Sequence, residues 1–279
     1  MSEKNEEMVQ KQVFYTGFSE IHKDEVTEAL KSEKNVAVLF HKQKINDDDV
    51  KATLYFRKSD KGNWFFNSYD LAIAGKNGAE DMKQSFRIRY GNTYSLKESY
   101  NMMQGRSVNK TFLPAVVTDN TKTKEEKEQA KPYLAWAYMD FKETDKHGNY
   151  LIKKVFNHDL EKVLSQYPIK ELDNASIRSS IIDSLKKGNI QAVTFVIGDK
   201  EERKYIQAAP RTPSLKVYND KMVPERLSTK IKQDQGQEQT TGVKQEQGKQ
   251  QKQDATTDMA SDDGEPAKKN RQRRKQGVS

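Results

Sequence analysis

The chain of 279 residues carries a formal net charge of +8, and 32% of its residues are charged. It contains no cysteine, which excludes disulfides, thiol nucleophiles and all-cysteine metal sites and indicates a reducing compartment, most simply the cytoplasm. The longest uncharged apolar run, Tyr133 to Met139, is far shorter than the roughly 20 residues that cross a bilayer, so we expect no membrane partner.

Both ends of the chain are predicted to be disordered. Residues 1–12 are charged and contain no apolar stretch of the kind found in a signal peptide. Residues 228–279 contain no aromatic residue, and a segment with so little apolar surface cannot offset the entropy lost on ordering. In this tail an acidic stretch, Asp254 to Glu265, precedes a basic cluster, Lys268 to Lys275. Neighbouring charges of opposite sign screen one another, so the tail favours weak electrostatic capture over a specific site.

Residues 13–92 are expected to form an N-terminal α+β subdomain. The apolar pattern predicts a helix over 24–33 and strands over 36–40, 52–57, 64–73 and 84–90. The acidic run Asp47–Asp49 is predicted to lie in a solvated polar loop, because its flanks lack the glycine and distal glutamate of a calcium site.

The last of these strands has a regular alternation. Phe86, Ile88 and Tyr90 fall on one side, and Arg87 and Arg89 fall on the other. This pattern predicts a half-buried strand with two arginines on its open face.

Residues 93–222 are expected to form a second subdomain, packed closely against the first. Ser95 and Glu98 have the spacing of a capping box, which predicts a helix that ends at Gly105. Residues 114–132 are rich in Thr, Lys and Glu and are predicted to be a mobile loop, with partial helix as the alternative. Further helices are predicted over 159–167 and 175–187, and further strands over 133–141, 150–156, 192–197, 203–207 and 215–218.

Together these elements predict an α+β fold, in which antiparallel β-hairpins form small sheets with short helices on one face. Two hairpins have similar sequences, Phe56 to Trp64 and Phe141 to Tyr150. The similarity supports related building blocks and leaves open whether the hairpins are an internal repeat.

Several short motifs in the second half carry a family resemblance. They are Leu96–Asn101, Gly105–Lys110, Ala135–Trp136, Asp140–Asp145, Gly148–Tyr150, Pro168–Leu172, Ser184–Asn189, Val193–Phe195, Ala209–Pro210 and Val217–Asn219. With them, residues 96–219 resemble a domain of unknown function that recurs in conjugative and mobilisable elements of anaerobic gut bacteria. The loop after Lys110 is longer here than in that pattern, and the segment after Phe156 is shorter. The resemblance implies a cytoplasmic protein encoded near DNA-transfer or DNA-processing genes, and it implies no mechanism.

The sequence patterns that mark common enzyme sites are absent. The histidines are His22, His41, His147 and His158, and no two of them have the spacing of a helical metal pair. Neither a nucleophile elbow nor a phosphate-binding glycine loop is present. We therefore expect a protein that is not an enzyme, with no catalytic residue, no metal site and no cofactor.

Basic side chains supply the functional hypothesis. The candidate nucleic-acid contacts are Arg87, Arg89, Arg106, Lys110, Lys153, Lys154, Lys186 and Lys187. Tyr90, Trp136 and Tyr138 would stack on bases wherever their rings are exposed. For Arg106 two interpretations stay open: a loop contact to phosphate, or a pair with Asp140 or Glu171 inside the fold.

The leading hypothesis is a non-enzymatic accessory protein of a mobile genetic element that binds DNA or RNA with low sequence specificity. The alternative is an adaptor that binds another protein of the element, such as a DNA-transfer or topoisomerase-type component, through a sheet edge or an apolar patch. A continuous positive face favours the first hypothesis, and a mixed-sign surface with an exposed apolar groove favours the second.

Overall fold

A computed structural model describes residues 2–77, 79–118 and 121–226, so the tail predicted over 228–279 lies outside the described residues. The helices are α1 (Glu3–Tyr15), α2 (Lys23–Leu30), α3 (Leu96–Met103), α4 (Ala115–Thr118), α5 (Lys124–Gln129), α6 (Leu160–Leu164) and α7 (Ala175–Lys186), with a 3-10 helix at Lys170–Asp173. The strands are β1 (Val36–Ile45), β2 (Asp48–Lys58), β3 (Trp64–Ile73), β4 (Met82–Arg87), β5 (Val108–Phe112), β6 (Tyr133–Thr144), β7 (Tyr150–Val155), β8 (Gln191–Ile197), β9 (Lys200–Ala209), β10 (Ser214–Tyr218) and β11 (Pro224–Glu225). In the described ranges no helix is long and apolar enough to cross a membrane.

The strands form three antiparallel sheets, which confirms the predicted α+β class. The first sheet has the order β1-β2-β3-β4, the second β5-β6-β7, and the third β11-β10-β9-β8. Strand neighbours in each sheet are neighbours in sequence, and the connection from β5 to β6 is the longest because it contains α4 and α5.

One face of the first sheet is buried and the other is open. Alternate residues of β2 and β3, such as Leu54, Phe56, Tyr69 and Leu71, are buried in a core that α1, α2 and α3 help to form. The intervening residues of these strands are half-buried or exposed. A period of two along each strand therefore produces one face in the core and one face toward solvent.

The division predicted between residues 92 and 93 does not separate the two cores. Leu96 and Tyr100 of α3 and Ala137 of β6 belong to the same core as the first sheet. Trp136, one position earlier on β6, belongs to a second core formed mainly by α6, α7 and the third sheet, with Phe195 at its centre. Since successive side chains of a strand point to opposite faces, β6 contributes to both cores. The first core therefore extends beyond residue 92, and the predicted division between subdomains cuts through it.

The prediction that residues 1–12 are disordered is wrong. These residues form most of α1, which Ser2 caps through a hydrogen bond to the main-chain nitrogen of Asn5. Val9 and Val13 lie in the first core. The side chain of Asn5 pairs with both main-chain polar groups of Trp64, at 2.8 and 2.9 Å. The Asn5 amide thus satisfies main-chain groups of β3 at Trp64, where β4 does not pair with it. These hydrogen bonds attach α1 to the sheet in addition to its few apolar contacts.

The acidic run also differs from the prediction. Residues 41–45 continue β1, and Asp48 and Asp49 begin β2, so the connection is the tight turn at Asn46 and Asp47, where Asn46 has φ of 55°. Asp48 is buried and accepts hydrogen bonds from Tyr100 (2.9 Å) and Gln104 (3.0 Å). An ion pair with Lys76 and the Tyr100 hydrogen bond lower the pKa of Asp48, so this carboxylate joins the first sheet to α3.

The two similar hairpins share one five-residue turn. In Ser59–Asn63 and in Asp145–Asn149, the main-chain nitrogen of the first residue donates to the oxygen of the fifth. The main-chain oxygen of the first residue accepts from the nitrogen of the fourth. The fourth residue is Gly62 or Gly148, with φ of 79° or 81°, a conformation that favours glycine. Turn chemistry accounts for the similar sequences, and the hairpins belong to different sheets.

The segment predicted as a mobile loop, 114–132, contains α4 and α5, and residues 119 and 120 within it lie outside the described residues. Thr123 and Glu126 form a capping box at the start of α5. The predicted helix over 159–167 ends earlier, at Leu164. On α7, Ile181 and Leu185 are buried as expected, but Ile177 is exposed.

Candidate nucleic-acid interface

The two arginines of the fourth strand lie on the open face, as predicted. On β4, Gln84 and Phe86 are buried, whereas Arg87 is exposed. Arg89 follows the strand and is also exposed. Both guanidinium groups are thus exposed, but the strand predicted over 84–90 ends at Arg87, and Tyr90, expected on the side of Phe86, is exposed in the turn that follows.

Arg87 and Arg89 line a groove whose opposite side includes Lys154 of β7. The groove has a volume of about 640 Å³. Aromatic rings also line it, namely those of Phe86, Tyr94, Phe112 and Tyr150. Three of the eight predicted contacts therefore come together, although Lys154 is distant from the arginines in sequence.

Side-chain hydrogen bonds hold β7 beside β4. The amide of Gln84 donates to the main-chain oxygen of Tyr150 (3.2 Å) and accepts from its main-chain nitrogen (2.9 Å). The main-chain nitrogen of Ser85 donates to the side chain of Asn149 at 2.9 Å. The turn before β7 is thereby fixed to the free edge of the first sheet, and the strand that follows carries Lys154 to the groove.

The groove continues at both ends. Toward the start of β4 it adjoins a hollow of about 470 Å³ lined by Lys51, Lys83 and His147, which shares Asp70, Ser85 and Asn149 with the first groove. Past the end of β4 it adjoins a hollow of about 560 Å³ lined by Tyr15, Phe65 and Tyr90, which shares Arg89 with it. We call the three together the β4 groove, with a lysine section, a central section and an aromatic section.

The cations of the central section make no direct ion pair with a carboxylate of the described residues. Among the described residues no ion pair includes Arg87, Arg89 or Lys154. The Lys154 ammonium lies 4.0 Å from the centroid of the Phe112 ring and donates to the Tyr133 hydroxyl at 2.6 Å. Both contacts leave its positive charge in place.

Two acidic residues of the central section have their own partners. Asp70 accepts hydrogen bonds from the hydroxyls of Tyr55 (2.8 Å) and Ser85 (2.5 Å). Asp145 accepts from the main-chain nitrogens of Asn149 and His147, and these bonds lower its pKa. These neutral donors leave the negative charges of both carboxylates in place, so the central section carries two anionic groups beside its three cations, and both arginines are exposed.

A rigid loop presents Tyr90 at the aromatic section. The ring is 83% exposed. The neighbouring Gly91 has φ of 67° and packs against Leu113 so closely that an added Cβ would lie 2.4 Å from a side-chain carbon. Asn92 pairs with both main-chain polar groups of Leu113, at 2.8 and 2.9 Å. These contacts fix the loop and leave the Tyr90 ring free.

Arg106 is not available to a ligand, which corrects the interpretation as a phosphate-binding loop. It is 7% exposed, donates to the side chain of Asn101 at 2.7 Å and lies over the Tyr100 ring at 5.4 Å. Burial lowers the pKa of its guanidinium. The suggested internal partners are also wrong, because Asp140 pairs with Lys153 and Glu171 accepts from the main-chain nitrogen of Thr194.

Two predicted lysines are engaged in ion pairs. Lys110 contacts Glu98 at 3.0 Å, donates to the main-chain oxygen of Thr93 and is largely buried. Lys153 lies between Asp140 (2.7 Å) and Glu143 (2.8 Å), which raise its pKa. Their positive charges are compensated within the fold, so neither is a good phosphate contact.

The remaining predicted residues are dispersed. Lys186 and Lys187 lie at the C-terminal end of α7 and do not line the β4 groove. Among the aromatic candidates Trp136 is buried in the second core, and Tyr138 is covered by the guanidinium of Arg211 at 4.9 Å. Only Tyr90 of those three has an exposed ring.

Sequence reasoning missed Lys51, Lys83, Phe65 and Tyr15. The alternation of β2 and β3 places Lys51 and Phe65 on the open face, and that signal was present in the sequence. No such signal existed for Tyr15, since its helix was not predicted. In the described ranges, no group of three or more His, Asp or Glu side chains is arranged to hold a metal ion.

Comparison with known proteins gives no further assignment. No family model matches the chain, and no curated protein or solved structure matches it either. The resemblance of residues 96–219 therefore stays a prediction.

Proposed function

We propose that this protein is a non-enzymatic accessory protein that binds nucleic acid with low sequence specificity through the β4 groove. The observation that carries the proposal is the set of Arg87, Arg89 and Lys154, which face one groove without carboxylate partners in the described residues. Phosphate contacts of this kind supply affinity without sequence information. The net charge of +8 adds to long-range attraction of a polyanion.

The proposed setting is the cytoplasm of a cell that carries a mobile genetic element. Its support is the resemblance of residues 96–219 together with the absence of cysteine. The exposed aromatic rings beside Arg89 fit a ligand that contains bases as well as phosphates.

Fluorescence anisotropy with labelled oligonucleotides at several salt concentrations tests the proposal. We expect a Kd of micromolar to tens of micromolar at low salt, rising steeply between about 50 and 200 mM salt. The triple variant Arg87→Gln, Arg89→Gln, Lys154→Gln should weaken binding at least tenfold. It should also reduce the slope of log K against log salt by about 2–3, since each of the three lost phosphate contacts contributes about 0.7–0.9.

The matched control is the double variant Lys186→Gln, Lys187→Gln, which removes predicted cations that lie outside the groove. It should bind like the unmodified protein. Absence of binding up to about 100 μM, the weak end of non-specific affinity, contradicts the proposal, as does an equal loss in the control variant.

A different surface favours the alternative role as a protein adaptor. β1 is an edge strand of the first sheet, and Val36, Val38 and Phe40 on it are exposed, Phe40 by 76%. An edge with free main-chain groups and apolar side chains can accept a strand from another protein. Under this second proposal, Val38→Lys with Phe40→Lys abolishes co-purification with a transfer or topoisomerase-type protein, and the triple groove variant does not.

A further inference from the structure

We infer that the β4 groove takes single-stranded rather than duplex nucleic acid, with bases stacked in its aromatic section and phosphates held in its central section. The inference rests on the proposed function and adds the class of nucleic acid.

The aromatic section offers exposed ring faces around one hollow. Tyr15 is 78% exposed, Phe65 41% and Tyr90 83%, and Arg89 lies among them. Single exposed apolar residues are common on protein surfaces, but three rings around one concavity beside an unpaired guanidinium are not explained by core packing. Rings beside a cation are what successive bases and their phosphates contact on single-strand-binding proteins.

The loop that carries the Tyr90 ring has an ordered main chain. Gly91 and Asn92 fix its loop against Leu113 through close packing and two hydrogen bonds. Because the main chain of this loop is already ordered, base stacking on Tyr90 costs the side-chain freedom of the ring but little loop ordering.

Concavity selects the unpaired strand. In a duplex the faces of the bases are covered by their neighbours, and only the base edges are reachable, by a helix or ribbon that enters the major groove. The rings and cations here line a hollow instead, and a base that stacks on these rings has to leave its own stack. An unpaired strand can splay a base out of its stack.

The sections lie in a fixed order along the chain. Lys83 belongs to the lysine section, Arg87 to the central section and Tyr90 to the aromatic section. At about 3.3 Å per residue, Lys83 to Arg87 on β4 spans about 13 Å, and Tyr90 lies in the turn beyond the strand. At the 3.4 Å spacing of stacked nucleotides, this strand segment accommodates about four.

Anisotropy titrations with the full-length protein test the inference. The probes are dT20, U20, a 20-base-pair duplex of mixed sequence, and inorganic polyphosphate as a competitor that has charge but no base. We expect at least one single strand to bind about tenfold or more tightly than the duplex. The tighter of dT20 and U20 then shows which of these two strands the groove prefers.

Tyr90→Ala is the decisive variant, because the exposed ring can be removed without opening the core. It should weaken single-strand binding by about fivefold to one-hundredfold, the range measured for loss of one base-stacking side chain. Tyr90→Phe should retain binding within about twofold. Phe40→Ala, which removes a comparably exposed ring on β1, should leave binding unchanged. The inhibition constant of polyphosphate, corrected for the affinity of the probe, should be the same with and without the Tyr90 ring.

Failure of this inference can be distinguished from failure of the proposed function. If the duplex binds as tightly as both single strands, or if Tyr90→Ala binds dT20 and U20 like the unmodified protein, the single-strand inference is wrong. In that case, loss of duplex binding in the triple cation variant would still support the proposed function. If no probe binds, both are wrong.

Discussion

Asn101 accepts a hydrogen bond from Arg106, with 2.7 Å between the side-chain oxygen and the guanidinium nitrogen. The amide nitrogen of Asn101 donates to the main-chain oxygen of Lys187 (2.7 Å) and to the side chain of Asn189 (3.0 Å). One buried side chain therefore joins the end of α3 to the end of α7. Three motif segments that support the family resemblance meet at this joint, namely 96–101, 105–110 and 184–189. Residues of these motifs therefore stabilise the fold.

Asn101→Ala should lower the free energy of unfolding by about 2–4 kcal/mol. The change leaves a buried guanidinium donor and the main-chain oxygen of Lys187 without partners, and unmade buried hydrogen bonds are costly, most of all at a charged group. Urea denaturation measures the effect. Asn67→Ala, at an exposed position of β3, should change stability by less than about 0.5 kcal/mol. Equal stability of the two variants would show that the joint contributes nothing.

Gly188→Ala should destabilise the protein more than Gly148→Ala. Both glycines have positive φ, 78° and 81°, so both substitutions carry a similar backbone cost of about 1–2 kcal/mol. A Cβ at Gly188 would lie 3.0–3.1 Å from Ser107, Val108 and Asn101, whereas nothing lies within 4 Å at Gly148. Overpacking should add about 1–3 kcal/mol at Gly188. Thermal or urea melts of both variants compare the two, and similar losses would contradict the close approach at Gly188.

Asn5→Ala should lower stability by about 1–3 kcal/mol, because it removes both hydrogen bonds to the main chain of Trp64 in a buried position. Lys4→Ala, on the exposed side of the same helix, is the control and should be nearly neutral. Hydrogen exchange offers a second measurement: the amides of α1 should be protected in the unmodified protein. Rapid exchange throughout residues 3–15 would instead show that this segment is disordered.

Stability should fall as the pH drops below about 6.5, in part because of His158. Its ring packs edge-on against Trp136 with 5.3 Å between centroids, and neither ring nitrogen has a hydrogen-bond partner among the described residues. Burial lowers the pKa of His158, with a smaller opposing effect of Asp159. The unfolded chain therefore takes up this proton at a higher pH than the folded protein, which favours unfolding as the pH falls below the unfolded value of about 6.5.

Urea denaturation between about pH 8 and pH 5 measures this effect. His158→Gln should flatten the decline in unfolding free energy below about pH 6.5, whereas His147→Gln, in an exposed turn, should show the same decline as the unmodified protein. A decline that is identical with and without His158 would assign the pH dependence to other groups.

Local patterns predicted the elements of this fold well. The capping box of Ser95 and Glu98 is present at the start of α3, and Gly105 has the positive φ expected after it. The hairpin turns occur where Gly-Asn pairs indicated them. Errors arose where distant contacts outweigh local composition: the charged first helix is held by Trp64, and the acidic run is held by Tyr100 and Lys76.

The sequence alone determined most of the hairpins, several helices and the open-face position of Arg87 on β4, because period and turn chemistry are local properties. It did not determine what packs on each face. Two features follow only from the tertiary structure: Arg106 is buried against Asn101, and Lys154 lines the same groove as Arg87 and Arg89. The availability of a cation to a ligand depends on burial and on partners from distant segments, and neither is encoded in the spacing of neighbouring residues.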